Sequence, residues 1–136
     1  MKNQTTEMTD KVINKIEQFC DVLRTNYQSY SIAQHRKYID KGESVDYHKK
    51  QIDKLCEGEG VDQYIYVKGK KYAKIIHVSH GQRSAHAFVD LNSGDVYKPK
   101  DWRSPSLNGV RYNLLEDSSR EQMYKRADWA GSYLYK

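Results

Sequence analysis

The sequence has few of the residues and segments that mark membrane, secreted and disulfide-linked proteins. Its 136 residues include two cysteines and two prolines. No run of about 18 apolar residues occurs, so no segment has the composition of a transmembrane helix. The N-terminus, MKNQTTEMTDK, also lacks the apolar run of a signal peptide. We therefore expect a soluble, cytoplasmic protein with no membrane partner.

Several motifs that carry chemistry are also missing. No C-x-x-C occurs, and Cys20 and Cys56 both fall at apolar positions of predicted helices, which favours reduced, buried thiols over a zinc site. The chain contains no G-x-S-x-G, no P-loop and no G-x-G-x-x-G. These absences favour a non-catalytic protein, and we expect no catalytic residues and no cofactor.

Charge is distributed unevenly between the two halves of the chain. Residues 1–60 hold 10 basic and 10 acidic side chains, whereas residues 61–136 hold 13 and 8, so the whole net charge of +5 lies in the second half. The 12 tyrosines and the absence of low-complexity runs argue against a disordered chain. A folded, basic second half favours a negatively charged partner there.

The first 60 residues have a helical pattern. With Thr9 as the expected N-cap, apolar side chains recur every three or four residues and form one stripe. The members of this stripe are Val12, Ile13, Ile16, Phe19, Cys20, Leu23 and Tyr27. The sequence leaves open whether residues 9–41 form one helix or two, since neither Gly nor Pro separates them before Gly42. Ser44 is the expected cap of a further helix that ends near Gly58.

From residue 62 the period changes to that of strands. Segments 63–68, 71–79, 84–90 and one beginning at Asp95 predict an antiparallel meander, and 110–115 is a candidate fifth strand. A capping box, Ser118 to Glu121, predicts a short C-terminal helix. We expect an α+β fold in a single domain, residues 1–136. N-terminal helices (1–60) pack on a four- to five-stranded sheet (61–115), and a C-terminal helix and tail (116–136) follow.

Turn positions suggest how the strands pair. A Gly69-Lys70 turn pairs Tyr64 with Ile75, and the turn at 80–83 pairs His77 with His86. One face, the expected core, then collects Ile65, Val67, Tyr72, Ile76, Val78, Ala85, Ala87, Val89 and Val96. The other face collects Tyr64, Tyr66, Ala73, Ile75, His77, His86, Phe88 and Tyr97.

The stretch DLNSGD, residues 90–95, contains several oxygen ligands in a short space, which raises the question of a calcium loop. The ligand spacing of such a loop is not met, and strands rather than helices flank the stretch. Asp and Asn can instead bond to their own backbone, and Gly94 can adopt a positive φ. The sequence therefore predicts a turn that pairs Phe88 with Tyr97 and Val89 with Val96.

Three segments carry a resemblance to a known family. KGKKYAKIIHV, HAFVDLNSGDVYKPKDW and GVRYNLL, in that order over about residues 68–115, resemble a family of small uncharacterised proteins of tailed bacteriophages. The resemblance implies a phage-encoded accessory protein in the host-cell cytoplasm. It implies no activity and no catalytic residues.

Binding to a host or phage macromolecule is the function that we expect. On the aromatic face, the candidate platform consists of Tyr64, Tyr66, Phe88 and Tyr97. The candidate basic rim consists of Lys68, Lys70, Lys71, Arg83, Lys98 and Lys100. Such a face can bind single-stranded nucleic acid by stacking bases and holding phosphates. A partner protein, a homodimer, or cover by the C-terminal segment with its aromatic side chains are the alternatives.

Three histidines form a weaker candidate site. His77 and His86 on neighbouring strands, with His80 in the adjoining turn, would make a transition-metal site if the expected register holds. Solvated or packing histidines explain the pattern more simply, because no Cys or carboxylate is identified beside them. A metal-dependent enzyme is therefore the third hypothesis.

Overall fold

The protein has an α+β fold in which helices cover one face of an antiparallel sheet. The computed structural model describes residues 4–135, with the side chains of residues 7–135. Its elements are α1 (Gln4–Asp40), α2 (Val45–Cys56), β1 (Gln63–Lys68), β2 (Tyr72–Ser79), β3 (Gln82–Asp90), β4 (Asp95–Tyr97), β5 (Tyr112–Asn113), α3 (Asp117–Arg126) and a 3-10 turn (Ser132–Leu134). The five strands pair in chain order, as the meander pattern predicts. Within residues 4–135, no helix combines the length and hydropathy of a membrane span.

Helix α1 is one continuous element of 37 residues, about 55 Å long. Thr9 lies within it, so the prediction of a cap at Thr9 is wrong. The apolar stripe is buried as expected at Val12, Ile16, Phe19 and Leu23, none of which is exposed to solvent. Burial of each large apolar side chain contributes about 2 kcal/mol, so this stripe attaches the helix firmly to the sheet.

The second half of α1 packs against α2, and this helical pair is loosely buried. In α2 only Leu55 is fully buried, and three tyrosines of the pair are exposed: Tyr30, Tyr38 and Tyr47. Cys56 is exposed, which corrects the prediction of a buried thiol, whereas Cys20 is buried as expected. Ser44 precedes α2 as predicted, but its side chain makes no capping hydrogen bond.

The β1–β2 turn differs from the predicted one by one residue. Gly69 N–H donates to the Tyr72 carbonyl at 2.9 Å, so Lys70 and Lys71 occupy the turn. Tyr64 consequently lies opposite His77 rather than Ile75. The prediction of a Gly69-Lys70 turn is therefore wrong, although the same side chains of β1 and β2 still share a face.

A bulge between β2 and β3 determines which side chains face the helices. Ile75 pairs with Ala87, but Ile76 pairs with Ala85, which leaves His86 as an extra residue. An extra residue moves every side chain beyond it to the other face of the sheet. The predicted pairing of His77 with His86 is wrong, because His77 lies opposite Ser84.

The inner face of the sheet, which α1 covers, combines residues from both predicted faces. Its strand residues in the core cluster are Tyr64, Ala73, Ile75, Ala87, Val89, Val96 and Tyr112. The predicted assignment of Ile65, Val67, Tyr72 and Ile76 to this core face is wrong, and Val67 is 51% exposed. The pairs Phe88–Tyr97 and Val89–Val96 form as predicted.

The DLNSGD stretch is the turn that joins β3 and β4, as predicted. The Asp90 carboxylate accepts hydrogen bonds from the backbone N–H groups of Asn92 and Ser93, at 2.8 and 3.0 Å. Gly94 has φ +78°, and a Cβ there would lie 2.9 Å from the Leu115 side chain. The turn therefore requires glycine both for its backbone conformation and for this close approach.

One carboxylate folds the C-terminal segment into a tight turn. Asp128 accepts hydrogen bonds from the backbone of Ala130, Gly131, Ser132 and Tyr133 and from the Ser132 hydroxyl. Burial alone would raise the pKa of Asp128, but these hydrogen bonds prevail and lower it.

Helix α3 does not use the predicted capping box. Its N-cap position is Glu116, which makes no side-chain capping bond, and Ser118 lies inside the helix. The Ser119 hydroxyl instead accepts the backbone N–H of Asn113, at 2.8 Å. This bond connects the first turn of the helix to β5.

Candidate functional site

The face of the sheet opposite α1 carries aromatic rings interleaved with lysine. We define the outer aromatic patch as Tyr72, Phe88, Tyr97 and Trp102; the first three lie on β2, β3 and β4, and Trp102 on the following loop. Lys74 Nζ lies 3.8 Å from the centre of the Trp102 ring and 6.0 Å from that of Phe88. The lysine therefore bridges the two rings by cation–π contacts.

The rings of the patch differ in their accessibility. Tyr72 and Tyr97 meet edge to face, with ring centres 6.1 Å apart, and Lys71 Nζ lies 5.4 Å from the Tyr72 ring. Phe88 is only 3% exposed, whereas Trp102 is 44% exposed. Phe88 thus forms the floor of the patch, and Trp102 presents ring surface to solvent.

A structured loop frames the patch on one side. Pro99 and Pro105 form a β-bridge, and Lys100 N–H donates to the Ser104 carbonyl at 3.0 Å. The Asp101 carboxylate accepts the N–H groups of Arg103 and Ser104 and the Ser104 hydroxyl, and these bonds lower its pKa. Between this loop and β2 lies a groove of about 590 Å³, lined by Tyr72, Lys100, Ser104, Pro105, Ser106, Leu107 and Asn108.

The chain segments around the patch are strongly basic. Residues 68–74 contain four lysines and no acid, and residues 98–111 contain four basic side chains and one acid, Asp101. Burial and the negative charges of Asp95 and Asp90 raise the pKa of Tyr97, so the field is negative at that edge of the patch. The field over the patch is therefore positive on the side of the groove.

Because of the bulge, the predicted aromatic platform is split between the two faces. Phe88 and Tyr97 lie in the outer patch, whereas Tyr64 is 1% exposed in the core and donates its hydroxyl proton to the Trp129 carbonyl. Tyr66 is half-buried, and its hydroxyl donates to Glu17 on α1. For Tyr64, the alternative that the C-terminal segment covers the aromatic face is thus correct.

The predicted basic rim is likewise divided. Lys71, Lys98 and Lys100 lie on the segments that frame the patch, and Lys70 lies at the tip of the β1–β2 turn. Lys68 pairs with Ala73 and so belongs to the inner face rather than to the patch. Arg83 lies opposite Val78. Val78 is six residues from Tyr72 along β2, about 20 Å away, so Arg83 is remote from the patch.

A second site surrounds two of the histidines. We call it the histidine cavity: about 230 Å³, lined by His77, Ser84, Ala85, His86, Pro99, Trp129, Ala130, Gly131 and Tyr135. At its wall, His77 Nε2 bonds to the Asp62 carboxylate at 2.6 Å, and the Ser79 hydroxyl donates to the same carboxylate at 3.0 Å. Tyr64 stacks flat on His77, with ring centres 4.6 Å apart.

The geometry around Asp62 does not create an activated nucleophile. Ser79 donates its proton to the carboxylate rather than to an imidazole base, and its oxygen faces Nδ1 of His80 at 3.2 Å. Nor does any group of three or more His, Cys, Asp or Glu side chains gather as a metal site within the described part of the chain. Asp62, which bonds His77 and Ser79, and Tyr133, which bonds His86, belong to no motif that the sequence would reveal.

Replacing Asp62 with alanine is expected to lower the free energy of unfolding by about 2 kcal/mol, because two partly buried donors lose their acceptor. Urea denaturation measures the effect. Asp117→Ala is the matched control, since it removes an exposed ion pair with Arg120 and should cost less than about 1 kcal/mol. Equal costs for the two substitutions would refute a structural role for the Asp62 contacts.

A second histidine pair, His35 on α1 and His48 on α2, was not anticipated from the sequence. Their Nδ1 atoms are 2.7 Å apart and their ring centres 5.0 Å apart, so the two nitrogens point at each other and share one proton. Partial burial and the neighbouring His48 lower the pKa of His35. This head-on geometry is that of a hydrogen bond between helices and not of two ligands converging on a metal.

Comparisons with known proteins identify the family of the chain without assigning it an activity. Over residues 1–136 the sequence matches a family described as "Family of unknown function (DUF7717)", and the chain belongs to this family. No curated protein and no solved structure matches the chain.

Proposed function

We propose that this member of a family without an assigned activity is a non-catalytic accessory protein that binds single-stranded nucleic acid through the outer aromatic patch. One observation carries the proposal. The half-buried rings of Tyr72 and Tyr97 and the exposed ring of Trp102 lie among lysine side chains on the sheet face that the helices leave uncovered. Rings of this kind stack bases of any sequence, and the lysines hold the connecting phosphates.

The arrangement of the rings supports a single strand rather than a duplex. The patch is a sheet surface with a groove beside it, and none of the helices described within residues 4–135 protrudes from this face to enter a major groove. Lys74 contacts the Trp102 ring, and Lys100 lines the groove together with Tyr72. Unstacked bases can reach these rings, whereas the bases of a duplex present only their edges.

Five cations are available to the backbone of such a strand: Lys71, Lys74, Lys98, Lys100 and Arg103. Each phosphate of a single strand that a protein cation neutralises adds about −0.7 to the slope of log affinity against log salt. If all five take part, affinity should fall about 100-fold between 50 and 200 mM salt. This dependence separates a phosphate-binding face from one that binds a neutral partner.

Removing two of these cations is expected to make the salt dependence shallower. In Lys71→Ala/Lys100→Ala, we expect the slope of log affinity against log salt to shrink by about 1.4. Fluorescence anisotropy of a labelled oligothymidylate, titrated at several salt concentrations, measures the slope. Both lysines are exposed, so the fold should be retained.

The matched control is Lys49→Ala/Lys50→Ala, which removes the same charge from the exposed surface of α2. Its slope should equal that of the unchanged protein. Equal slopes for all three proteins would contradict binding at the patch, and no anisotropy change at low salt would contradict nucleic-acid binding altogether.

A phage origin is part of the proposal. The segments KGKKYAKIIHV and HAFVDLNSGDVYKPKDW, which resemble tailed-phage proteins, include all but the last residue of β2, the turn at 90–95 and all four residues of the patch. An accessory protein encoded by a phage would meet single strands in the cytoplasm of its host during replication or packaging of the genome.

A protein partner is the second candidate, and the helical pair favours it. Tyr30, Tyr38 and Tyr47 are each more than two-fifths exposed on α1 and α2, and tyrosine often anchors protein interfaces. A partner protein, a second copy of this chain included, would be expected to bind on this side of the molecule, away from the patch.

A further inference from the structure

The histidine cavity contains ring nitrogens that the protein does not use. His77 and His86 both line it, and each has one nitrogen already bonded: Nε2 of His77 to Asp62 and Nε2 of His86 to the Tyr133 hydroxyl. The described residues offer neither Nδ1 a hydrogen bond. His86 is otherwise buried, so its Nδ1 can be satisfied only by a molecule in the cavity.

The hydrogen bonds fix the position of the proton on His86. If Nε2 carried it, the Tyr133 hydroxyl would have no acceptor among the described residues. Tyr133 therefore donates to Nε2, at 2.8 Å, and Nδ1–H of His86 is a donor that faces the open side of Gly131. His77 donates Nε2–H to a carboxylate, so its Nδ1 accepts a hydrogen bond in the neutral imidazole.

The contents of the cavity must be small, and the lining disfavours an anion. A cavity of about 230 Å³ has room for several waters or for one planar ring system. No Lys or Arg lines the cavity, and burial lowers the pKa of His86 to about 4, so this imidazole is uncharged at neutral pH. Trp129 and Tyr135 supply aromatic walls.

We infer that the histidine cavity binds one nucleobase of the strand, with Nδ1–H of His86 donating to a ring nitrogen or carbonyl and Nδ1 of His77 accepting from an exocyclic amine. A nucleobase is a neutral, planar heterocycle that carries both donors and acceptors, and the two imidazoles offer one donor and one acceptor. This inference rests on the proposed function and adds a specific subsite to it.

The cavity lies close to the proposed path of the strand. Pro99 lines the cavity and also forms the bridge with Pro105 that shapes the loop beside the patch. Lys98, one of the five patch cations, places Nζ 4.8 Å from the ring centre of Tyr135, at the exposed side of the cavity. Lys98 therefore places a phosphate-binding charge beside Tyr135, which lines the cavity.

The test follows the imidazole nitrogens directly. Long-range ¹H–¹⁵N spectra of the full chain are recorded while each of the four deoxynucleosides is added at millimolar concentration. We expect saturable shifts of the His77 and His86 nitrogens with at least one nucleoside. Ser84→Phe should abolish them, because Ser84 lies on the cavity wall at an exposed strand position where an aromatic residue is well tolerated.

Gln82→Phe is the control, because Gln82 lies two residues away on the same strand and does not line the cavity. It should leave the shifts unchanged. The inference is overturned if no nucleoside shifts the ring-nitrogen resonances of His77 or His86. It is also overturned if the nucleoside shifts these resonances in Ser84→Phe as much as in the unchanged protein. Oligothymidylate anisotropy on the same samples separates the nucleobase subsite from strand binding at the patch. If the protein binds the strand but the imidazole resonances do not shift, only the subsite is refuted. If neither is observed, the proposed function is refuted as well.

Discussion

Alanine in place of both Tyr72 and Trp102 is expected to weaken binding of single-stranded DNA about 100-fold. Base–aromatic stacking contributes about 1–3 kcal/mol for each base, so two lost rings at about 1.4 kcal/mol each give this factor. Trp102 is 44% exposed and Tyr72 half-buried, so neither substitution empties the core. Anisotropy of a labelled oligothymidylate at fixed salt measures the loss, and circular dichroism verifies the fold.

The control for this prediction removes two exposed rings elsewhere. Tyr38→Ala/Tyr47→Ala changes the helical pair and should leave the affinity within about twofold, since isolated surface substitutions have small effects. If the control weakens binding as much as Tyr72→Ala/Trp102→Ala does, the patch is not the interface. Loss in the control alone would instead favour the helical pair as the binding surface.

Mild acid is expected to destabilise the protein, chiefly through His86. Burial lowers its pKa from 6.5 to about 4 in the folded state. The unfolded chain therefore binds the proton more readily, and stability is complete above about pH 6.5 and falls as the pH drops toward 4. The shift corresponds to about 3 kcal/mol, or about 10 °C in the midpoint of thermal unfolding. His35, whose pKa is also lowered, acts in the same direction.

Thermal unfolding at a series of pH values tests this dependence. His86→Gln keeps a hydrogen-bond acceptor for Tyr133 but does not titrate, so most of the loss between pH 6.5 and 4 should disappear. His80→Asn is the control, because His80 is exposed in a turn with positive φ, which asparagine tolerates. An unchanged slope in His86→Gln would contradict the account of His86.

Much of the fold could be predicted from periodicity and turn residues. The helical stripe from Val12 to Leu23, the five strands and the DLNSGD turn follow from local chemistry. Local rules were sufficient there because a helix face repeats every 3.6 residues and because Asp and Gly stabilise turns within a few residues.

The division of the sheet into two faces could not be predicted, since it depends on a single extra residue. The bulge at His86 lies within an unbroken strand pattern, SAHAFVD, that contains no Gly or Pro. Strand periodicity assumes strict alternation, so it placed Phe88 on the face of Tyr64. The long-range contacts of Asp62 and Tyr133 were equally invisible, because each partner lies 15 or more residues away.

Photo-crosslinking can locate a single strand on the outer aromatic patch. Bromodeoxyuridine-containing single-stranded DNA is irradiated in complex with the protein, and the crosslinked peptides are identified by mass spectrometry. If the strand lies across the patch, crosslinks are expected at Trp102, Tyr72 or Tyr97, within the segments 71–74 and 95–103. Crosslinks confined to α1 and α2, or none under conditions in which the DNA is bound, would contradict it.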